Sequence, residues 1–216
     1  MSVPVYILHG LYLHGVVMLP LAQYLRQHGF RPILFSYASL LHTPAVSAER
    51  LVEQVLQRSH NHAHYVAHSL GGLVLRHVMA TYAPHLPPGR SVTLGTPHQG
   101  SIVASHVQRY GYGDWLLGAS RHQGLLGDAP PWPPERELGS VAGNSGHGIG
   151  SLLAPLIAPH DGTVTVAETY CPGQSDHICI DCSHARLLFS PMAERQVLAF
   201  LRTGRFQHEE SRHCFT

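Results

Sequence analysis

The sequence contains no lysine: its 14 basic residues are all arginine, and only 12% of its 216 residues are charged. An average soluble domain has about 25% charged residues. The absence of lysine excludes Schiff-base chemistry on a lysine, a P-loop phosphate site and protein kinase activity, because each of these requires that residue. The net charge is only +1, and no arginine cluster could neutralise a run of phosphates, so we expect no nucleic-acid partner.

Cysteines are few, and long apolar runs are absent. The four cysteines are confined to the last part of the chain, which is not typical of a disulfide framework: Cys171, Cys179, Cys182 and Cys214. No apolar run approaches the ~18 residues of a membrane span, so we expect no integral membrane segment. The N-terminus lacks the basic segment and cleavage site of a secretory signal. We therefore expect a cytoplasmic protein.

Histidine is abundant, with 19 in the chain, and two groups of residues could hold a metal: the alternating His60, His62 and His64, and Cys179-x-x-Cys182 with His177 and Cys171. No carboxylate or cysteine joins the first group, which favours a solvated strand entrance. The two cysteines of the second group point to opposite faces if they share a strand, which favours buried thiols. We expect no metal and no cofactor.

Short apolar runs alternate with amphipathic segments over most of the chain. This pattern predicts strands at 3–8, 31–37, 64–68, 91–94, 138–142 and 177–182, and helices at 16–29, 45–59, 70–82 and 191–202, with helical pieces around 101–110. Such alternation is typical of a single α/β domain with a mainly parallel sheet and helices on both faces. Residues 97–137 are predicted to form an insertion over one end of the sheet, and residues 204–216 a flexible tail.

The most informative segment is Y-V-A-H-S-L-G-G at positions 65–72, which places Ser69 between a predicted strand and a predicted helix. Ala67 and Gly71 are small enough to allow the sharp turn that would expose the Ser69 hydroxyl at the carboxyl edge of the sheet. A helix starting at Leu70 would direct its N–H groups towards negative charge developing beside that hydroxyl. The alternative is a serine that only caps the helix.

These residues resemble the nucleophile elbow of the α/β-hydrolase family, specifically its small lipase and esterase branch. Three further segments fit the resemblance: L-H-G at 8–10, G-T-P-H-Q-G at 95–100 and H-D-G-T-V at 160–164. Ala67, in place of the usual first glycine, is the departure from the motif. The resemblance covers residues 3–203 and implies a single α/β-hydrolase domain, 1–216, without a large cap domain.

The resemblance also implies an oxyanion hole made by two backbone N–H groups, those of Leu70 and Leu11. The alternative for His9-Gly10, just before Leu11, is a simple turn at the end of a strand. Residues beside these motifs are expected to line the substrate pocket: His9, Gly10, Tyr12, His68 and His98. For His98 a role in ordering its own loop is equally compatible with the sequence.

A serine nucleophile needs a histidine base and a carboxylate that orients it, and in this fold both follow the serine in the chain. Among the aspartates after Ser69, Asp161 lies in a polar turn following an apolar stretch, and by resemblance D-G-x-V carries the acid. The other candidates are Asp114, Asp128, Asp176 and Asp181. His184 follows the last predicted strand and would reach the edge where Ser69 emerges. The weaker candidates for the base are His177, His160 and His98.

The predicted function is a serine hydrolase that cleaves carboxylic esters through Ser69, His184 and Asp161, with a small ester or lipid as its substrate. Apolar side chains in the insertion could cover an acyl pocket or form a satellite core: Tyr110, Tyr112, Trp115, Trp132, Leu116, Leu117, Leu125 and Leu126. The alternatives are an amidase or acyltransferase with the same triad, and a non-catalytic protein that binds a lipid or a partner.

Overall fold

The computed structural model describes residues 2–148 and 150–208. In these residues six strands form one parallel sheet in the order β2-β1-β3-β4-β5-β6. The strands are β1 (Pro4–Leu8), β2 (Arg31–Phe35), β3 (His64–His68), β4 (Ser91–Leu94), β5 (Leu138–Gly143) and β6 (Asp176–Ile180). The strand order reverses between β1 and β3. Ligands of open α/β sheets bind at such a switch point, beside the carboxyl ends of the strands.

Within the same described ranges, seven α-helices connect or follow these strands. They are α1 (Leu19–Gln27), α2 (Pro44–Leu56), α3 (Leu70–Tyr82), α4 (Ile102–Arg109), α5 (Gly113–Leu117), α6 (Gly150–Leu153) and α7 (Pro191–Thr203). Short 3-10 segments occupy Gly15–Met18, Ala83–His85, Gly118–Arg121, Ala167–Thr169 and Ala185–Leu188.

Local sequence explains where the longer helices begin and end. Thr43 accepts a hydrogen bond from the Val46 N–H at 3.3 Å and is followed by a proline, which suits the first position of α2. Ser190 accepts from the Ala193 N–H at 3.3 Å in the same way at the start of α7. Gly204 ends α7 with a φ of +76°, a left-handed conformation that glycine adopts without strain.

The sheet is buried on both faces, because successive side chains of a strand point to opposite sides. In β1, Tyr6 and Leu8 face a core that includes side chains of α2 and α3. Val5 and Ile7 face a second core that includes side chains of α1 and α7. This arrangement confirms the predicted α/β class, with a parallel sheet between two layers of helices.

Some predicted boundaries differ from those in the structure. The predicted helix 16–29 divides into a 3-10 turn and α1, because Pro20 has no N–H to continue an α-helical ladder from the preceding turn. The last strand covers Asp176–Ile180 rather than 177–182, so Asp181 and Cys182 follow it.

The predicted insertion 97–137 contains α4, α5 and a 3-10 turn. Some of its apolar side chains are buried in the core, and others are exposed at the surface. Leu117, Leu125 and Trp132 are buried in the core that includes α2 and α3. Trp115 is 80% exposed, and Tyr110 and Tyr112 are also exposed. The segment therefore contributes side chains to the core, and a cover over an acyl pocket by its exposed side chains stays a prediction.

The predicted tail begins with packed residues. Phe206 is only 5% exposed and joins the core beneath α7, while the Gln207 N–H donates to Gln196 Oε1 at 2.8 Å. Residues 204–208 are thus ordered by contacts with the domain, and the rest of the predicted tail, 209–216, lies outside the described residues. Within the described chain, no helix has the length and hydrophobicity that crossing a membrane requires.

Candidate active site

Ser69 lies on a sharp turn between the end of β3 and the start of α3. Its backbone has φ +53° and ψ −123°, a conformation that is strained for a residue with a side chain. Two hydrogen bonds hold the turn in this shape: the Ser69 N–H donates to the Leu94 carbonyl at 2.8 Å, and the Thr96 hydroxyl donates to the Ser69 carbonyl at 2.8 Å. The turn therefore projects the serine from the carboxyl edge of the sheet.

The small residues around the turn are required by close packing. A Cβ atom on Gly71 would lie 2.7 Å from the His9 carbonyl oxygen, and one on Gly72 would lie 2.2 Å from Thr96 Oγ1. A Cβ atom on Gly10 would lie 3.1 Å from Ser69 Cβ. The loop after β1 thus passes directly beside the serine, and glycine permits this approach.

His184 lies between Ser69 and Asp161. Its Nε2 is 3.0 Å from Ser69 Oγ, and its Nδ1 is 2.7 Å from Asp161 Oδ2. Because a carboxylate accepts hydrogen bonds and does not donate them, the proton of a neutral imidazole belongs on Nδ1. Nε2 is then free to accept the hydroxyl proton of Ser69.

Asp161 holds His184 by both side chain and backbone. Its Oδ1 accepts the N–H groups of Thr163 at 2.9 Å and Val164 at 2.7 Å, which fixes the carboxylate and leaves Oδ2 for the imidazole. The His184 N–H donates to the Asp161 carbonyl at 2.9 Å. The Asp161 side chain is 1% exposed and that of His184 is 14% exposed. The carboxylate is consequently shielded from water, while the imidazole keeps a small exposed area.

Gly95, at the end of β4, makes room for the imidazole. Its φ is +59°, and a Cβ atom there would lie 2.9 Å from His184 Nδ1. The roles of Gly95 and Thr96 were missed by reasoning from the sequence. Their signal was present, since G-T-P is part of the motif at 95–100, but the sequence alone did not indicate what these residues contact.

The predicted oxyanion donors lie on either side of the serine. Leu70 is the first residue of α3, so its N–H has no acceptor within that helix. Leu11 follows Gly10 in the loop beside Ser69. The turn of this loop is held by the Leu13 N–H donating to the Gly10 carbonyl at 3.4 Å and by the Tyr12 N–H donating to Ser39 Oγ at 3.2 Å. The proposed donation of both N–H groups to an oxyanion stays a prediction.

The other candidate acids bind different groups. Asp114 forms an ion pair with Arg121. Asp128 accepts the Gln123 and Gly124 N–H groups at 2.6 Å, and Asp176 binds His208 at 2.8 Å. Asp181 is exposed just beyond β6.

The other candidate bases also have partners of their own. His177 Nε2 pairs with Thr169 Oγ1 at 2.9 Å, and His160 Nδ1 accepts the Gly162 N–H at 3.1 Å. His98 Nε2 pairs with Thr93 Oγ1 at 3.0 Å. The structure thus brings together Ser69, His184 and Asp161.

Of the five predicted pocket residues, one is exposed and four are buried. Tyr12 is 58% exposed, and its hydroxyl donates to the Leu116 carbonyl, which links the loop after β1 to the insertion. Gly10, His9, His68 and His98 are buried. Burial lowers the pKa of His9, and it lowers the pKa values of His68 and His98 to about 3. These imidazoles are therefore neutral, and they lie behind the surface of the site rather than on it.

His9 shows how a buried imidazole supports this surface. Its ring stacks on Tyr37 with a centroid separation of 4.4 Å, its Nε2 accepts the Tyr37 N–H at 3.2 Å, and its Nδ1 donates to the Gly10 carbonyl at 2.9 Å. Tyr37 in turn donates its hydroxyl to the His9 carbonyl at 2.7 Å. The loop that carries Leu11 is thereby fixed to the end of β2.

Neither of the two groups considered as metal sites is assembled into one in the part of the chain that the structure describes. Among residues 2–148 and 150–208, no three or more histidine, cysteine or acidic side chains are positioned to hold a metal ion. Cys171, Cys179 and Cys182 are buried, reduced thiols, while Cys214 lies outside the described residues.

No protein-family model and no curated protein matches the chain. Solved structures do match it. A lipase of Bacillus licheniformis, BlEst2, in its mature form superposes with a TM-score of 0.75 at 18% identity, covering 94% of this chain and 92% of the lipase. A thermophilic esterase from Thermogutta terrifontis has a TM-score of 0.63 at 15% identity, covering 94% and 91% of the two chains. The product of the gene lin2722 from Listeria innocua has a TM-score of 0.62 at 18% identity, covering 98% and 97%.

The chain is an α/β-hydrolase by fold. The three matches extend over more than nine-tenths of both chains in each pair, so the six-stranded domain shares its fold with structures that include a lipase and an esterase. At 14–18% identity the likeness concerns the fold.

Proposed function

We propose that the protein is a serine hydrolase that cleaves carboxylic esters. The observation that carries this proposal is the continuous hydrogen-bonded chain from Ser69 through His184 to Asp161, located on a strained turn at the carboxyl edge of the sheet. A serine that only capped α3 would accept a hydrogen bond from a backbone N–H of that helix, and the Ser69 side chain makes no such bond. A non-catalytic binding protein would not need this hydrogen-bonded chain.

The proposed reaction has two stages. His184 Nε2 takes the hydroxyl proton as Ser69 Oγ attacks the ester carbonyl, and the imidazolium then protonates the departing alcohol. Asp161 stabilises the imidazolium and holds the ring in the required orientation. Water, activated by the same imidazole, then hydrolyses the acyl-enzyme. The Leu11 and Leu70 N–H groups would stabilise the oxyanion, and losing one such donor typically costs ~3 kcal/mol.

Exposed apolar side chains near this edge support an apolar acyl group in the substrate. Tyr12 follows β1, and the insertion reaches the same edge, because the Ala119 N–H donates to the Leu40 carbonyl at 2.9 Å in the loop after β2. Trp115 in this insertion and Leu152 after β5 are 80% and 87% exposed. Exposed apolar side chains beside a site are typical of proteins that bind apolar ligands.

The experiment is hydrolysis of short-chain and long-chain nitrophenyl esters by the wild type, Ser69→Ala and the matched control Ser105→Ala. Ser105 is an exposed residue of α4, so its substitution should leave kcat unchanged. Ser69→Ala should lower kcat by at least ~10³-fold, because it removes the nucleophile. An inactive wild type, or a Ser69→Ala variant with full activity, would refute the proposal. Reaction with a fluorophosphonate should label Ser69, and the label is then located by peptide mass spectrometry.

The same triad can transfer an acyl group to an alcohol or cleave an amide. Adding an acceptor alcohol to the assay distinguishes transfer from hydrolysis, because a transferase would yield a new ester in place of the free acid. We expect the free acid as the main product.

A further inference from the structure

His68, the residue before Ser69, is buried in contact with the proposed base. It is 2% exposed, its ring centroid lies 4.7 Å from that of His184, and its Nε2 is 3.1 Å from the His184 carbonyl oxygen. Because a carbonyl oxygen only accepts hydrogen bonds, Nε2 must carry the proton of the His68 imidazole. This hydrogen bond joins the end of β3 directly to the loop after β6.

The other nitrogen of this imidazole is left without a partner. His68 Nδ1 is buried and has no hydrogen-bond partner among the described residues. It faces Gly10, where a Cβ atom would lie only 3.0 Å from it. A buried, unpaired acceptor is unfavourable, and such groups in native structures are rare and require an explanation. Packing alone does not supply one, since an apolar side chain of similar length would avoid the unpaired nitrogen.

The backbone of His184 is therefore anchored on both sides of its side chain. Its N–H donates to the Asp161 carbonyl at 2.9 Å, and its carbonyl accepts from His68. Asp161 Oδ2 fixes the ring itself. The bond from His68 ties His184 directly to the end of β3, the strand that precedes Ser69, and so it restrains the distance between His184 Nε2 and Ser69 Oγ from the side opposite to Asp161.

We infer that His68 is a positioning residue for the proposed reaction: the hydrogen bond from its Nε2–H to the His184 carbonyl holds the base against Ser69. The inference rests on the proposed function of this site. His68 lies behind the surface and does not contact the substrate in this role. Its Nδ1 stays unprotonated, because a second N–H there would face Gly10 with no acceptor.

The test compares His68→Met with His68→Gln, which have side chains of equal length. Glutamine can donate an amide N–H to the His184 carbonyl, and methionine cannot. His68→Met should lower kcat for a nitrophenyl ester by ~10- to 100-fold, because small misplacements of reacting groups have effects of this size. KM should change by less than about threefold, and His68→Gln should keep most of the wild-type kcat.

His64→Met is the matched control, because it removes an imidazole from the other end of the same strand. His64 Nδ1 accepts the Arg90 N–H at 2.9 Å at the amino edge of the sheet, away from Ser69. The kcat of the His64→Met variant should equal that of the wild type. If His68→Met and His68→Gln have the same kcat, whether high or low, the hydrogen bond is not what positions the base and the inference is wrong.

A second measurement uses the wild type alone and does not depend on variants that fold. Long-range ¹H–¹⁵N correlation spectra identify which imidazole nitrogen of each histidine carries a proton. His68 should be neutral and protonated on Nε2 from pH 8 to pH 5. Protonation on Nδ1 alone, which would leave Nε2 without a hydrogen to donate to the His184 carbonyl, would overturn the inference. The ester assay with Ser69→Ala separately tests the proposed function, so a failure of either proposal can be recognised.

Discussion

The two oxygens of the Asp161 carboxylate have different partners, and this difference predicts the effect of an amide at the same position. Oδ1 accepts two backbone N–H groups, while Oδ2 accepts the N–H of His184. In an Asp161→Asn variant the amide oxygen would keep the two backbone donors, and the NH₂ group would face His184 Nδ1. That nitrogen would then have to be the acceptor, and the proton would move to Nε2.

Asp161→Asn should consequently lower kcat while the protein remains folded. With the proton on Nε2, His184 cannot accept the proton of Ser69, and a change of tautomer of this kind typically lowers kcat by ~10⁴-fold. The measurement is kcat for a nitrophenyl ester, with circular dichroism to check the fold. Asp181→Asn, at an exposed position beyond β6, is the control and should match the wild type. An Asp161→Asn variant with kcat near that of the wild type would exclude Asp161 as the orienting acid.

The position of a residue could be predicted best where a motif lies next to a strand, as for Ser69 directly after β3 and His184 in the loop after β6. In the structure His184 lies within hydrogen-bond distance of both Ser69 and Asp161, while the catalytic role of the three residues stays a prediction. Reasoning from the sequence could not show that His68 contacts the His184 backbone, because the two residues are 116 positions apart. Contacts of this kind depend on which strands are neighbours.

At the scale of elements, the junction of β3 and α3 depends on the packing of Gly72 against Thr96. A Cβ atom on Gly72 would lie 2.2 Å from Thr96 Oγ1 and 2.6 Å from Thr96 Cγ2. Thr96 is buried and donates its hydroxyl to the Ser69 carbonyl, so it cannot move aside without losing that hydrogen bond. The helix must therefore approach the loop after β4 through a glycine.

Gly72→Ala should destabilise the protein by ~1–3 kcal/mol, the usual cost of overpacking a core. In the double variant with Thr96→Ala the two nearest obstructing atoms, Oγ1 and Cγ2, are absent and only the Thr96 Cβ at 2.8 Å remains, so the total loss should be smaller than the sum of the two single losses. Urea unfolding of the three variants measures this coupling. Strictly additive losses would mean that Gly72 does not pack against Thr96 as described.

The predicted elements were most accurate on either side of Ser69, since the bounds of β3 and α3 match the prediction. They were less accurate in the insertion. There the helices are short, and α5 buries Leu117 while it exposes Trp115. A five-residue helix has too few turns to show a clear periodicity, so its position is set by contacts with the core rather than by a local pattern.

At the scale of the whole molecule, the strand order brings the functional loops together. The sequence pattern predicted a parallel sheet, but it could not show that β1 lies between β2 and β3. That position places the loop containing Leu11 beside Ser69, at the point where the strand order reverses. The order arises from contacts between distant segments, which no local pattern records.

The whole molecule should also lose stability steeply on mild acidification. The pKa values of His68 and His98 are lowered by burial to about 3, and that of His64 to about 4, against an ordinary value of 6.5. Below pH 6.5 the unfolded chain therefore binds protons that the folded protein cannot bind. The stabilisation is complete above pH 6.5 and is lost as the pH falls towards 3, because a histidine with a lowered pKa favours the folded state only while it is neutral.

The number of these buried histidines sets how steeply the free energy of unfolding should change with pH. Each fully buried histidine contributes ~1.4 kcal/mol per pH unit, so His68 and His98 together should lower the free energy of unfolding by ~3 kcal/mol per pH unit below pH 6.5. Carboxyl groups titrate chiefly below about pH 5, so urea unfolding at pH 7.5, 6.5, 6 and 5.5 isolates the histidines. The His64→Met variant should show a shallower slope than the wild type, since one fewer imidazole titrates between the two states. A free energy of unfolding that stays constant from pH 6.5 to pH 5.5 would show that these imidazoles are protonated without unfolding, and that their burial does not keep them neutral.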